Sequence, residues 1–178
     1  MKFFYLIYII LFHLIFSTSM NASELDSWFA SRTDNEMIEA ITAIIEDRFE
    51  IDDLNFENEF IAREFQVVFL VWSMTGSIEN GGMTNFWSFN IDHAFTITVF
   101  HEVGLNGMAQ VLKNSLEVFP EKTPVGDLSQ TIRFFGDLGS LEKAAEPHSM
   151  KFFSYSEQVE SLLAKYIRDR RHLFADLL

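Results

Sequence analysis

The sequence predicts a mainly α protein: a single compact multi-helix domain with a loop-rich segment before the C-terminal helix. Three observations carry that expectation. Apolar residues recur at helical spacing in successive segments. No run of alternating hydrophobicity is long enough to require a sheet. Hydrophobic residues make up 48% of the 178 positions, 20 of them phenylalanine, which supplies a core to a chain with no cysteine to staple it.

Residues 1–22 stand apart. Lys2 precedes an uncharged run from Phe3 to Phe16, followed by the small and polar Ser17 to Ala22, the three-part pattern of a secretory signal. At about 1.5 Å per residue the run spans roughly 21 Å, short of the ~30 Å hydrocarbon core. A cleaved signal is therefore expected, with no stable membrane span after cleavage, an exported or periplasmic location, and residues 23–178 as one helical domain. The alternative is that Met20 is the true start, residues 1–19 an upstream extension, and the location cytoplasmic.

Thr33 or Asp34 can cap the first helix of the domain, whose Met37, Ile38, Ile41, Ile44 and Ile45 share one face. From about Glu57 a second helix carries Phe60, Ile61, Phe65, Val68, Phe69 and Trp72. Its VVFLVW stretch is apolar nearly all round, which predicts a central position. Asn80-Gly81-Gly82 then reads as a tight inter-helix turn using glycine's tolerance of positive φ. Phe86, Trp87 and Phe89 are expected to pin the next short turn to the core, and Asn80 and Asn90 to bond exposed backbone ends.

Asp92 caps a helix ending at Gly104, although the β-branched FTITVF, Phe95 to Phe100, is the one place where a strand competes. Asn106 to Val118 is a further helix with Met108, Val111, Leu112 and Leu116 on one side, stopped by Phe119-Pro120. Residues 120–156 hold all three prolines and three glycines and form the loop-rich part, with a short helix near Leu128–Phe135. Ser156 opens the closing helix, Glu157 to about Leu173, where Arg168, Arg170 and Arg171 suit the negative end of the helix dipole.

Chemistry is sparse. His101-Glu102 lacks the second histidine of a zinc-protease helix, since position 105 is Leu, and His93 and His101 lack an evident third ligand. Phosphate-cradling and nucleophile-elbow motifs are missing from the sequence. No catalytic residue, no metal ligand and no cofactor is expected, and the protein is read as non-enzymatic. The aromatics Trp72, Phe86, Trp87 and Phe89 suit a core, or alternatively a pocket for a small ligand near Trp72 and Trp87.

Charge is the positive signal. The formal net charge is −13, and residues 20–68 carry 13 acids against 3 bases while residues 69–178 carry 13 against 9. The densest run, Glu46 to Phe60, supplies the candidate electrostatic contact set: Glu46, Glu50, Asp52, Asp53, Glu57 and Glu59. If the run is one helix, Glu46, Glu50, Asp53 and Glu57 fall on one stripe. Such a stripe is sparser than the ~3.4 Å phosphate repeat of one DNA strand, so mimicry needs a second row, as from a symmetry mate. Nucleic acid as a direct ligand is disfavoured by the sign of this field, and a cationic protein is the natural partner. A solvated face that only confers solubility is the competing reading.

Glu79-Asn80-Gly81-Gly82-Met83, Asn85-Phe86-Trp87 and Asn90, then VFHEVGLNGMAQVLKNSLEVFP from Val99 to Pro120, then VESLLAKYIRDRRHLF from Val159 to Phe174, together resemble the DNA mimic protein 19-like family over residues 61–174. Met83 stands where that family has Phe and Asn85 where Gln is frequent. The resemblance implies a helical homodimer in which Glu79, Asn80, Gly81, Gly82, Phe86, Trp87, Asn90 and Gly104 serve the fold. The named member imitates duplex DNA with surface carboxylates and occupies the basic DNA-binding face of a partner protein. The alternative is an exported helical domain meeting a basic envelope or toxin-like partner.

Overall fold

Two capping boxes start the chain's first helices in the computed structural model, which describes residues 20–49, 51 and 61–178. Asn21 Oδ1 accepts from the Ser23 and Glu24 amides while Glu24 Oε2 accepts from the Asn21 amide, opening α1, Ala22–Ala30. Thr33 and Glu36 repeat the device at α2, Asp34–Phe49, each box satisfying amides that helix geometry leaves without a partner. Helix α1 has no counterpart in the helical periodicity of the sequence, which begins at Thr33 or Asp34. The boundary expected at residues 22/23 falls just inside α1, and the apolar run before Met20 lies outside the described residues.

Helix α1 buries only Leu25 and Phe29, and arginines from the far end of the chain hold it. Arg171 Nε bonds Asp26 at 3.0 Å, and Arg168 donates to Phe29 O at 3.0 Å and to Asp34 Oδ1 at 2.7 Å. The basic cluster expected to serve the helix dipole thus clamps the two ends of the domain together.

Helix α3, Arg63–Gly81, is the hub. Val67 to Val71 are all buried, so it is covered on every side, by α2 and four later helices: α4 (Met83–Ser88), α5 (His93–Val103), α8 (Leu138–Phe153) and α9 (Val159–Asp169). A start near Glu57 falls partly outside the described residues; the described helix begins at Arg63.

FTITVF is helical, inside α5. Asp92 caps it through the Phe95 amide at 2.9 Å. The hydroxyls of Thr96 and Thr98 donate back to the carbonyls of Asp92 and Ala94, so the β-branched residues keep their polar atoms satisfied within the helix. Gly104 closes it at φ 94°, with the Leu105 amide returning to Phe100 O, a left-handed stop that glycine adopts without strain. Helix α6, Asn106–Ser115, and a 3-10 turn, Leu116–Val118, follow as expected.

The loop-rich expectation for residues 120–156 requires correction. Loop is confined mainly to the stretch around Pro120–Asp127; α7, Leu128–Phe135, and the sixteen-residue α8 occupy most of the rest. Pro147 sits inside α8 on its exposed side. Leu141, Ala145, Ser149 and Phe152 form the buried face, and that packing offsets the hydrogen bond that proline withholds. Ser156 starts a 3-10 turn rather than capping the closing helix; α9 begins at Val159 and stops at Asp169, with a 3-10 turn, Arg171–Phe174, beyond it. Every described helix or turn is helical, and no described helix is long and apolar enough to cross a membrane.

Candidate functional site

Helix α2 sorts its side chains by the 3.6-residue period. Met37, Ile38, Ile41 and Ile45 are fully buried; the same period leaves Glu36, Glu39, Glu46 and Asp47 in solvent. These four carboxylates extend over roughly 16 Å of helix axis. None of them is in an ion pair with another described residue. Hydrogen bonds from the Thr33 amide and hydroxyl hold Glu36 below the ordinary carboxylate pKa, so it stays ionised.

The nearby cations bond elsewhere, although the charge of Arg32 also helps to keep Glu36 ionised. Arg32 lies 4.0 Å over the Trp28 ring and donates to Trp28 O. Arg48, in the last turn of α2, donates to Asp176 O at 2.5 Å. Asp34 is the acid of α2 that pairs with a cation among the described residues, Arg168. Of the six expected contact residues, Glu46 is the one described, exposed at the end of this face. Glu50, Asp52, Asp53, Glu57 and Glu59 lie outside the described residues. Glu36, Glu39 and Asp47 were not in the expected set, although their spacing opposite the isoleucine face carries the signal.

The family-motif residues take structural places. Glu79 and Asn80 are exposed in the last turn of α3, and Gly81 is still helical. The turn narrows to Gly82 alone, at φ 70° and ψ −170°. Asn85, not Asn80, performs the expected backbone bonding, donating to Ser77 O at 2.8 Å. The Met83 amide donates to Ser149 Oγ at 2.8 Å, which joins α4 to α8. Asn90 is exposed between α4 and α5.

Phe86 and Trp87 have no exposed surface. Trp87 stacks on Phe135 at 5.7 Å, meets Phe119 edge-on at 5.2 Å and donates Nε1–H to Ser115 Oγ at 3.1 Å. The space that a small-ligand pocket would need at this indole is filled by other side chains. Trp72 is half-buried against the same core.

His93 and His101 make separate bonds, His93 Nε2 with Phe86 O and His101 Nδ1 with Asn106 Oδ1, both at 2.8 Å. Glu102 accepts from Arg63 at 2.8 Å and from the Tyr166 hydroxyl at 2.8 Å, tying α3, α5 and α9. Burial pushes the Tyr166 hydroxyl well above its ordinary pKa, and the Glu102 bond adds to this. Among the described residues no group of three or more His, Asp or Glu is placed to hold a metal ion.

Burial lowers the pKa of His93 and, by the same cause, that of His148. The unfolded chain takes up these protons near the ordinary value of 6.5, whereas the folded protein takes them up only at lower pH. Their contribution is therefore complete above about pH 6.5 and is lost as pH falls towards the depressed values. Thermal unfolding at pH 7.5 and at about pH 5.5 should give a lower melting temperature in acid. His93→Gln, which keeps an N–H donor but does not titrate, should shrink that difference; an unaltered difference would remove His93 from the account.

A family model described as DMP19-like protein matches residues 59–170. No curated protein and no solved structure matches the chain.

Proposed function

Because the chain belongs to the DMP19-like protein family, we propose that it is a non-enzymatic acidic binding protein that occupies the basic DNA-binding face of a partner protein. The observation that supports the reading best is the row of Glu36, Glu39, Glu46 and Asp47, exposed and without ion-pair partners among the described residues. A structural salt-bridge face would have paired these groups. Left unpaired, they project a field that draws in cationic surfaces and repels phosphate. Glu50, Asp52, Asp53, Glu57 and Glu59 extend the same charge in sequence.

One row of carboxylates is sparser than one strand of phosphates. A homodimer would supply the second row, and sedimentation of the purified protein reads that part of the proposal. Mimicry also places the protein in the compartment of its DNA-binding partner, which agrees with a start at Met20. N-terminal sequencing of the protein from fractionated native cells reads that part.

The contact itself is tested by competition. A basic DNA-binding protein recovered with this chain from native cells is bound to labelled duplex, and the chain is titrated in at several salt concentrations. Wild type should displace the duplex with a steep loss of potency as salt rises, because exposed charges are screened over about 8 Å at physiological ionic strength. Glu36→Gln, Glu39→Gln, Glu46→Gln and Asp47→Asn combined should weaken displacement by about tenfold or more at low salt. Salt-independent displacement, or an unaffected quadruple variant, sinks the mechanism.

A further inference from the structure

A cleft of about 340 Å³ opens on the outer side of α8, away from the α2 carboxylates in the packing order of the helices. Its walls are unusual for this surface. Leu138, Leu128 and Met150 are 49%, 48% and 64% exposed, and all three line it together with the half-buried Phe153. They are three of the six large hydrophobic side chains exposed among the described residues. Isolated apolar residues on a surface require no account, but these line one concavity together.

The cleft is built rather than accidental. Gly82 and Ala145 keep the junction of α4 with α8 low, and the Met83–Ser149 bond fixes α4 against α8 beneath it. Leu138 to Phe153 covers roughly 22 Å of helix axis, the length of about four helical turns.

Charge selects the occupant. Glu142 and Glu146, one turn apart on α8, line the cleft and are exposed. Neither is in an ion pair with another described residue. No Lys, Arg or His among the described residues lines the cleft. A segment that buries large apolar side chains while presenting Lys or Arg at its edge satisfies both features. A purely cationic surface leaves Leu138 and Met150 wet, and a purely apolar one leaves two carboxylates facing nothing.

We propose that this cleft is a second binding surface, which docks a cationic amphipathic helical segment of a partner protein. Unlike the α2 face, it draws on apolar burial and so retains affinity when salt is raised. The proposal does not depend on the α2 reading, and its test separates the two.

The probe is a fluorescein-labelled Leu/Lys amphipathic peptide of about four helical turns, with a matched peptide whose leucines are alanine. Fluorescence anisotropy is read at low salt and at about 0.5 M, where electrostatic reach is about 4 Å. Wild type should bind the Leu/Lys peptide at both salts and the Ala/Lys peptide at low salt only. Met150→Lys and, separately, Leu138→Lys should weaken high-salt binding about tenfold or more with melting temperatures held. Glu142→Gln with Glu146→Gln should weaken binding most at low salt. Glu39→Gln with Glu46→Gln should leave high-salt binding unaltered.

Absence of high-salt binding, equal binding of the two peptides, or indifference to both lysine variants overturns the proposal. So does a sedimentation experiment in which wild type self-associates and Met150→Lys does not, since the occupant is then a second copy of this chain.

Discussion

Trp87→Ala should lower the free energy of unfolding by about 3–5 kcal/mol, the range for removing a fully buried large aromatic side chain. Trp87 has no exposed surface, and its indole touches elements far apart in the chain: Phe119, Phe135 and His148. Its Nε1–H is matched by Ser115 Oγ, which itself donates to Leu112 O at 2.7 Å. The truncation therefore opens a cavity where α4, α6, α7 and α8 meet and removes one member of a buried hydrogen-bonded chain. In a domain of this size such a loss corresponds to a fall in melting temperature of roughly 6–20 °C. Trp87→Phe separates the two contributions. It keeps most of the ring contact and gives up the indole donor, so it should cost about 1–3 kcal/mol. A melting temperature for Trp87→Ala within about 2 °C of wild type would mean that this indole does not organise the core.

The helices that announce themselves in the sequence are those whose buried face consists of large aliphatic and aromatic residues at a clear period, such as α2 with its isoleucines or α3 with VVFLVW. Helix α8 escapes notice for a physical reason. Its buried face is Leu141, Ala145, Ser149 and Phe152, so the periodic positions include a small residue and a hydroxyl, and Pro147 reads as a breaker. Only the contact with α4 and α6 reveals that Ala and Ser are there to let helices approach. Helix α1 escapes because it is short and depends on Arg168 and Arg171, more than 130 positions away, a contact with no local signature.

The candidate acidic face was legible as net charge, and its geometry was latent in the spacing opposite the isoleucine face. Counting acids leads to the densest run, from Glu46 onward. The burial of Met37, Ile38, Ile41 and Ile45 instead assigns Glu36 and Glu39 to the same exposed side as Glu46. Which acids are paired is a tertiary property: Glu36 answers to its local capping box with Thr33, whereas the Arg168 that clamps Asp34 lies 134 positions away. The α8 cleft is a tertiary property in the same sense. Leu138 and Met150 fall in a stretch that reads as loop-rich, and only the fold shows them on a helix and uncovered.

Gly82→Val should destabilise the protein by about 3 kcal/mol or more, and the reason is backbone geometry before it is size. At φ 70° and ψ −170° Gly82 occupies a region that is essentially closed to residues with a Cβ, at a cost of about 1–3 kcal/mol. A Cβ there would also lie 3.0 Å from Ser149 Oγ, the atom that accepts the Met83 amide. Displacing the serine strands a buried amide, with a penalty of about 1–3 kcal/mol. Gly76 supplies the internal contrast. It lies within α3, at a backbone conformation open to any residue and with nothing within 4 Å of an added Cβ. Gly76→Ala should therefore raise stability, by about 0.5–1 kcal/mol, through helix propensity and a less flexible unfolded chain. Urea unfolding of both variants beside wild type decides the matter. Opposite shifts in midpoint with an unaltered slope support the assignment. A Gly82→Val protein as stable as wild type would show that the turn relaxes freely and that Ser149 is not held between α4 and α8.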